Sequence, residues 1–248
     1  MLSAAAAYFF KARGPGAIHS PFVFDFAKNV LFSRERPPAV IEAARKSLEK
    51  DGRLLDYVDY GAGSGGIGPG RVTKTVGQIA RRAARRPATG SLLWRIVKHL
   101  APERALELGA NLGISAAYIA DALPENAGLT TVEGAQPLAH IARNVLKSLG
   151  YDHKTDVVCQ KFEDFLPARA DLAFIDGHHT AAAMRDHYDR IDAPVLVFDD
   201  VHWSQDAHNG WNHIVARPEA TVTLDLFRFG IVFKNREQAK EHFVLRWR

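Results

Sequence analysis

An α/β fold with a mostly parallel sheet is the architecture this sequence predicts, and three observations predict it. The first is a strand, glycine turn and helix at 104–115, Arg104-Ala-Leu-Glu-Leu-Gly-Ala-Asn-Leu-Gly-Ile-Ser115. The second is the alternation that follows. Short apolar runs at 105–109, 129–133, 156–160, 172–176 and 195–199 are separated by stretches of helical spacing such as 137–149 and 181–191. Such alternation needs crossover connections, and crossovers make strands parallel. The third is a change of pattern near the end, where 221–227 and 231–233 flank Arg228-Phe229-Gly230 and read as an antiparallel hairpin. Five parallel strands and a hairpin make seven. The alternating run 242–247 is a further strand or an edge.

Residues 1–90 read as a helical N-terminal extension, and 91–248 as the ligand-binding domain. Helical composition covers 4–12 and 38–49. Between them Phe22, Phe24 and Phe26 suit packing, with Ser20 as cap and Pro21 in the first turn of a helix. The run Asp59-Tyr-Gly-Ala-Gly-Ser-Gly65 imitates a cofactor loop. The segment before it is short and mixed, Pro69 stops a helix from following, and Arg81 and Arg82 stand where an acid is needed. It is expected to be a flexible loop and a lid over the site. Helix is expected again at 72–86 and 91–100, stopping at Pro102.

Composition narrows the class. At 248 residues, 47% hydrophobic and 24% charged, the chain suits a globular domain with an extension. One cysteine, Cys159, excludes an internal disulfide framework and a cysteine cluster for zinc. No apolar run approaches the roughly 18 residues of a membrane span, and the apolar start lacks a basic leader, so the expected setting is the cytoplasm. The net charge of +4 permits an anionic partner without requiring one. The basic cluster at 81–86 has no interleaved aromatics and reads as a solvated helix face.

The glycine turn departs from the dinucleotide pattern, because Ala110 and Asn111 follow Gly109 and the next glycine is Gly113. In a parallel sheet all strand ends share one rim, and here each ends in residues suited to a ligand. After the first come Gly109 to Gly113. The second ends in Glu133-Gly134, about 24 residues beyond Gly109, where a carboxylate accepts ribose hydroxyls. The third leads to Phe162, a border for an adenine. The fourth ends in Asp176-Gly-His-His179, and the fifth in Asp199-Asp-Val-His-Trp203.

These pieces resemble class I S-adenosylmethionine-dependent methyltransferases, with their Rossmann-like fold. More closely, 72–234 resembles the O-methyltransferases of the catechol type and the metal-dependent sugar and macrolide enzymes. The resemblance lies in Leu106 to Ser115, Val132-Glu133, Phe174 to His179 and Phe198 to Asp200. It implies that Glu107, Gly109, Asn111, Gly113, Ser115, Glu133, Gly134, Phe162 and Asp176 bind S-adenosylmethionine. It also implies that Asp176, Asp199 and Asp200 hold one divalent cation. Three carboxylates on one rim raise each other's pKa unless a cation neutralises them, and all-oxygen ligands suit Mg²⁺. Asp200 departs from the catechol type, which has an amide there; it is otherwise a helix cap.

The expected reaction is direct methyl transfer to a hydroxyl of a small molecule. His179 acts as base where the resembling enzymes place a lysine, with His178 and Asp176 as alternatives. His202 and Trp203 are expected to line the acceptor pocket. A membrane partner is not expected, nucleic acid is disfavoured, and a homodimer is left open. Three rivals remain. An RNA base methyltransferase would carry an Asn/Asp-Pro-Pro-aromatic motif where this chain has Asp176-Gly-His-His179. A nicotinamide dehydrogenase conflicts with the glycine spacing. A non-catalytic S-adenosylmethionine-binding protein would lack only turnover.

Overall fold

The computed structural model describes residues 8, 10–14, 16, 18–61, 70–83 and 87–247. In chain order its elements begin with α1 (Pro21–Phe26), which continues into a π-helical turn (Ala27–Leu31), and α2 (Ala39–Glu49). Then come β1 (Leu54–Asp59), β2 (Gly70–Thr75), α3 (Val76–Ala83), α4 (Pro87–Leu100), β3 (Arg104–Leu108), α5 (Ile114–Ala122), β4 (Gly128–Glu133), α6 (Gln136–Ser148) and β5 (Thr155–Cys159). The remainder is β6 (Leu172–Ile175), α7 (Ala181–Arg190), β7 (Val195–Asp199), α8 (Gln205–Ala216), β8 (Ala220–Asp225), β9 (Phe229–Lys234) and β10 (Glu241–Val244). The chain divides into two compact units, Glu35–Leu166 and the pair of segments Met1–Arg34 and Pro167–Arg248.

In the unit Glu35–Leu166, β4 lies between β3 and β5 and pairs parallel with both. Leu106 faces Thr130, and Val132 faces Val158. β3 and the helix after it are buried and, apart from Glu107 and Ser115, apolar from Ala105 to Leu108 and from Ile114 to Ala120, as suits elements covered on both faces. Helices α4 and α5 approach closely. A Cβ on Gly90 would lie 2.3 Å from Cε2 of Tyr118, so only glycine admits that ring. The Tyr118 hydroxyl donates to Glu42 of α2, and Trp94 Nε1 donates to Asp121 at 2.6 Å.

Two expectations for the first 90 residues are corrected here. Leu54–Asp59 and Gly70–Thr75 form an antiparallel pair, with Tyr57 facing Val72 and Asp59 facing Gly70. Residues 72–75, expected to be helical, are therefore strand. The helix starts at Val76, where the Gln78 side chain accepts the N–H of Thr75 and the Thr75 hydroxyl accepts the N–H of Gln78. The β-branched residues Val72, Thr73 and Thr75 suit a ladder better than a helix. The lid expectation lies outside the described residues over 62–69, and so does the basic cluster over 84–86.

In the other unit, β6 and β7 pair parallel, β9 runs antiparallel between β7 and β8, and β10 pairs parallel with β8. β10 falls on the run 242–247, expected as a further strand or an edge beyond the seven. Of the eight strands other than β1 and β2, three lie in one unit and five in the other. Trp211 of α8 packs on β9, where a Cβ on Gly230 would lie 2.6 Å from the indole. Pro21 opens α1 as expected, although the Ser20 side chain makes no cap hydrogen bond. The expected helix over 4–12 is described only at Tyr8, Phe10, Lys11 and Ala12, of which the first three are helical and Ala12 is not; the Tyr8 hydroxyl donates to Leu245 O at 2.6 Å.

Candidate active site

The tip of β3 turns on residues that adopt left-handed backbone. Gly109 has φ 110°, Asn111 φ 47° and Gly113 φ 84°. At Gly113 a Cβ would also come 2.9 Å from Cα of Ala142, so the turn packs directly on α6. Gly113 is the residue before α5, whose opening N–H groups face the turn, with Ser115 buried in the first helical turn. Oδ1 of Asn111 is buried and has no hydrogen-bond partner among the described residues. A buried acceptor in that state fits a site that receives a donor from a ligand. Glu107 is fully buried inside β3, where its carboxyl accepts the Thr131 hydroxyl across the β3–β4 pair.

At the tip of β4 the Glu133 carboxylate accepts the backbone N–H of Asn111 and of Ala135, both at 2.9 Å. These two bonds orient the acid over the β3 turn. Burial pushes the Glu133 pKa up, the N–H groups pull it down, and the charge of Asp59 adds to the rise. The β1–β2 pair reaches this place. A Cβ on Gly134 would lie 2.8 Å from Cδ2 of Tyr60, and Lys161 Nζ stands 5.0 Å from the centre of that ring. Burial and the charges of Asp59 and Glu133 push the Tyr57 hydroxyl up to about 12. Phe162 is half-buried in the turn after β5.

The other unit gathers the remaining strand-tip residues. Ile175 faces Phe198, and continuing that register by one residue sets Asp176 beside Asp199. Nε2 of His179 is 3.9 Å from Oδ1 of Asp176, and its ring centre is 6.5 Å from that of the exposed Trp203. The loop between them is held from α7 and α8. Thr180 caps α7 by accepting the N–H of Ala183, and Asp206 accepts the N–H of Ala181 at 2.9 Å. His178 takes a left-handed φ of 48°, with its ring stacked on His187 at 6.5 Å.

Asp199 is buried at the end of β7. Asp200, at φ 51°, accepts a hydrogen bond from the guanidinium of Arg228. The cap of α8 is Ser204, whose hydroxyl accepts the N–H of Ala207, so Asp200 is not a helix cap. His202 turns inward rather than toward an acceptor. Its Nε2 meets Oδ2 of Asp225 at 2.8 Å, both side chains are buried, and its ring stacks on Phe227 at 5.2 Å. Among the described residues no three His, Cys, Asp or Glu side chains are grouped so as to hold a metal ion. The cation expected on Asp176, Asp199 and Asp200 therefore finds no donor set that fits it, because Asp200 is engaged by an arginine.

With this geometry in view, residues 106–201 match a family model described as a methyltransferase domain. Over those residues the chain is similar to methyltransferase domains. It is 34% identical over 109 residues to the human transmembrane O-methyltransferase and 36% identical over 107 residues to catechol O-methyltransferase B of Danio rerio. Each match covers 40% of this chain, and it spans 37% and 38% of those relatives. Among solved structures, an SAH-bound methyltransferase from Podospora anserina superposes with TM-score 0.60 at 13% identity, covering 88% of this chain and 97% of that one. An O-methyltransferase from Bacillus cereus in complex with SAH gives 0.56 at 17% identity, covering 86% and 97%. The fold is thus the Rossmann-like class I methyltransferase fold. No helix among the described residues is long and apolar enough to cross a membrane.

Gly109, Asn111, Gly113, Glu133 and Gly134 come together in one unit, and Asp176, His179, Asp199 and Asp200 in the other. Sequence reasoning missed Tyr60, Asp206, Asp225 and Arg228. Only Tyr60 carried a signal, as a neighbour of the glycine run it read as a loop.

Proposed function

We propose that this chain is an S-adenosylmethionine-dependent O-methyltransferase acting on a hydroxyl of a small molecule. The observation that carries the reading is Glu133, held by two backbone N–H groups beside a turn with three left-handed residues. A carboxylate fixed in this way accepts the two hydroxyls of a ribose, and the buried Oδ1 of Asn111 is an acceptor for a further donor. Glu107 serves from inside the strand, Ser115 and Gly113 present the helix end, and Phe162 borders the adenine. Tyr60, from the first 90 residues, covers Gly134, which supports a role for that extension in shaping the site.

Bound S-adenosylmethionine supplies a methyl group already activated on a sulfonium. The protein's task is to align the acceptor and keep water out. His179 takes the acceptor's proton at Nδ1 while its Nε2–H faces Asp176. As the proton leaves, the hydroxyl oxygen bonds to the methyl carbon, and the electron pair of the broken C–S bond stays on sulfur. Asp176 stabilises the imidazolium that results. A divalent cation has no part in this sequence of events, since the acids present do not fit one. The single cysteine, Cys159, agrees with a cytoplasmic setting.

The test is incubation with methyl-labelled S-adenosylmethionine and a panel of phenolic and sugar acceptors, with RNA as a separate arm. Label in an ether product is expected, and His179→Ala should lower kcat by about 10²–10⁴-fold. Label in RNA alone, or none with any acceptor, would overturn the reading.

A further inference from the structure

One of the acids that follow β6 and β7, Asp200, is paired with a cation that the chain itself provides. Asp199 faces Phe229 across the antiparallel β7–β9 pair, so Asp200 comes opposite Arg228 when that register is continued. Arg228 lies in a firmly held turn between β8 and β9. Leu226 N donates to Phe229 O at 2.8 Å, Arg228 N donates to Leu226 O at 2.8 Å, and Phe227 N donates to Oδ1 of Asp225 at 2.9 Å. Asp225 is itself buried and bound to His202 through its other oxygen. The guanidinium reaches Oδ1 of Asp200, with the arginine side chain 36% exposed and the acid 18%. A planar guanidinium on a carboxylate is a charge-assisted bond, and it leaves that oxygen less available to a metal.

We propose that Arg228 supplies at this rim the positive charge that a bound ion would otherwise supply, so that the enzyme works without a divalent cation. This rests on the methyltransferase reading above. Arg228 bonds Asp200, and a guanidinium fixed beside that carboxylate neutralises it permanently. The same arginine repels an incoming dication. Removing its charge should turn the acids into a cation site, whereas lysine in its place should keep cations out.

The experiment uses the full chain, stripped with EDTA and then freed of it. Mn²⁺ binding is followed by electron paramagnetic resonance for the wild type, Arg228→Gln and Arg228→Lys. S-adenosylhomocysteine binding is followed separately by calorimetry in EDTA. The wild type and Arg228→Lys should take up no Mn²⁺ at micromolar concentration. Arg228→Gln should bind it roughly ten- to a thousandfold more tightly than the wild type, the range over which one adjacent charge acts on a carboxylate site. One Mn²⁺ per chain on the wild type at micromolar concentration, lost in Asp199→Asn, overturns the proposal, and that titration depends on no arginine variant. So does an Arg228→Gln protein that still binds S-adenosylhomocysteine and gains no Mn²⁺. Failure of the wild type to bind S-adenosylhomocysteine would instead sink the methyltransferase reading, with the Mn²⁺ comparison still judging Arg228 on its own.

Discussion

Glu133 shows how a single side chain can carry a measurable pH dependence. Burial raises its pKa above the ordinary 4.5, and the carboxylate form is the one that accepts ribose hydroxyls. Cofactor binding should therefore be full above that raised pKa and should weaken as pH falls through it, approaching tenfold per pH unit. Calorimetric titration of S-adenosylhomocysteine between pH 8 and about 5 checks this. The Glu133→Gln variant should bind about 1–3 kcal/mol more weakly and lose the slope. A flat wild-type profile would remove Glu133 from ribose recognition. Tyr60 is the second residue-scale case. Its ring lies on Gly134 beside Lys161. Tyr60→Ala should weaken the same binding by about 1 kcal/mol while Tyr60→Phe leaves it nearly unchanged, since the ring rather than the hydroxyl is invoked.

At the scale of elements, glycine decides how closely helices and strands approach. Gly90 admits the Tyr118 ring between α4 and α5. Adding one methyl there should destabilise the protein by about 1–3 kcal/mol, because Tyr118 is buried and bonded to Glu42 and has little room to shift. Chemical denaturation of Gly90→Ala measures it, and a midpoint equal to the wild type would show the interface to be loose. The same scale shows where the sequence was legible. Parallel strands 105–109 through 195–199 could be read because they alternate with helical stretches and end in polar tips. The β1–β2 pair was missed because Leu54–Asp59 is half-exposed, with a burial pattern that lacks a continuous apolar run.

For the whole molecule, binding and stability are linked. A ligand that binds only the folded chain stabilises it in proportion to its saturation. S-adenosylhomocysteine at about 100 times its Kd should add about 2.7 kcal/mol, a rise in Tm of several degrees for a chain this size. NAD at the same concentration should add nothing, because the glycine spacing and the strand-tip acids do not suit a dinucleotide. A thermal shift with NAD instead would favour the dehydrogenase rival. The formal charge of +4 needs no nucleic-acid partner to account for it.

What the sequence determined by itself was a run of parallel strands closed by an antiparallel hairpin, and which polar residues stand at their ends. Those features follow from local periodicity and from glycine, which act over a few neighbouring residues. The tertiary structure alone decided what each polar tip meets. Arg228 reaches Asp200 from 28 positions away and Asp225 turns His202 inward from 23. Such meetings depend on strand register and the direction of side chains, which spacing along the chain does not encode.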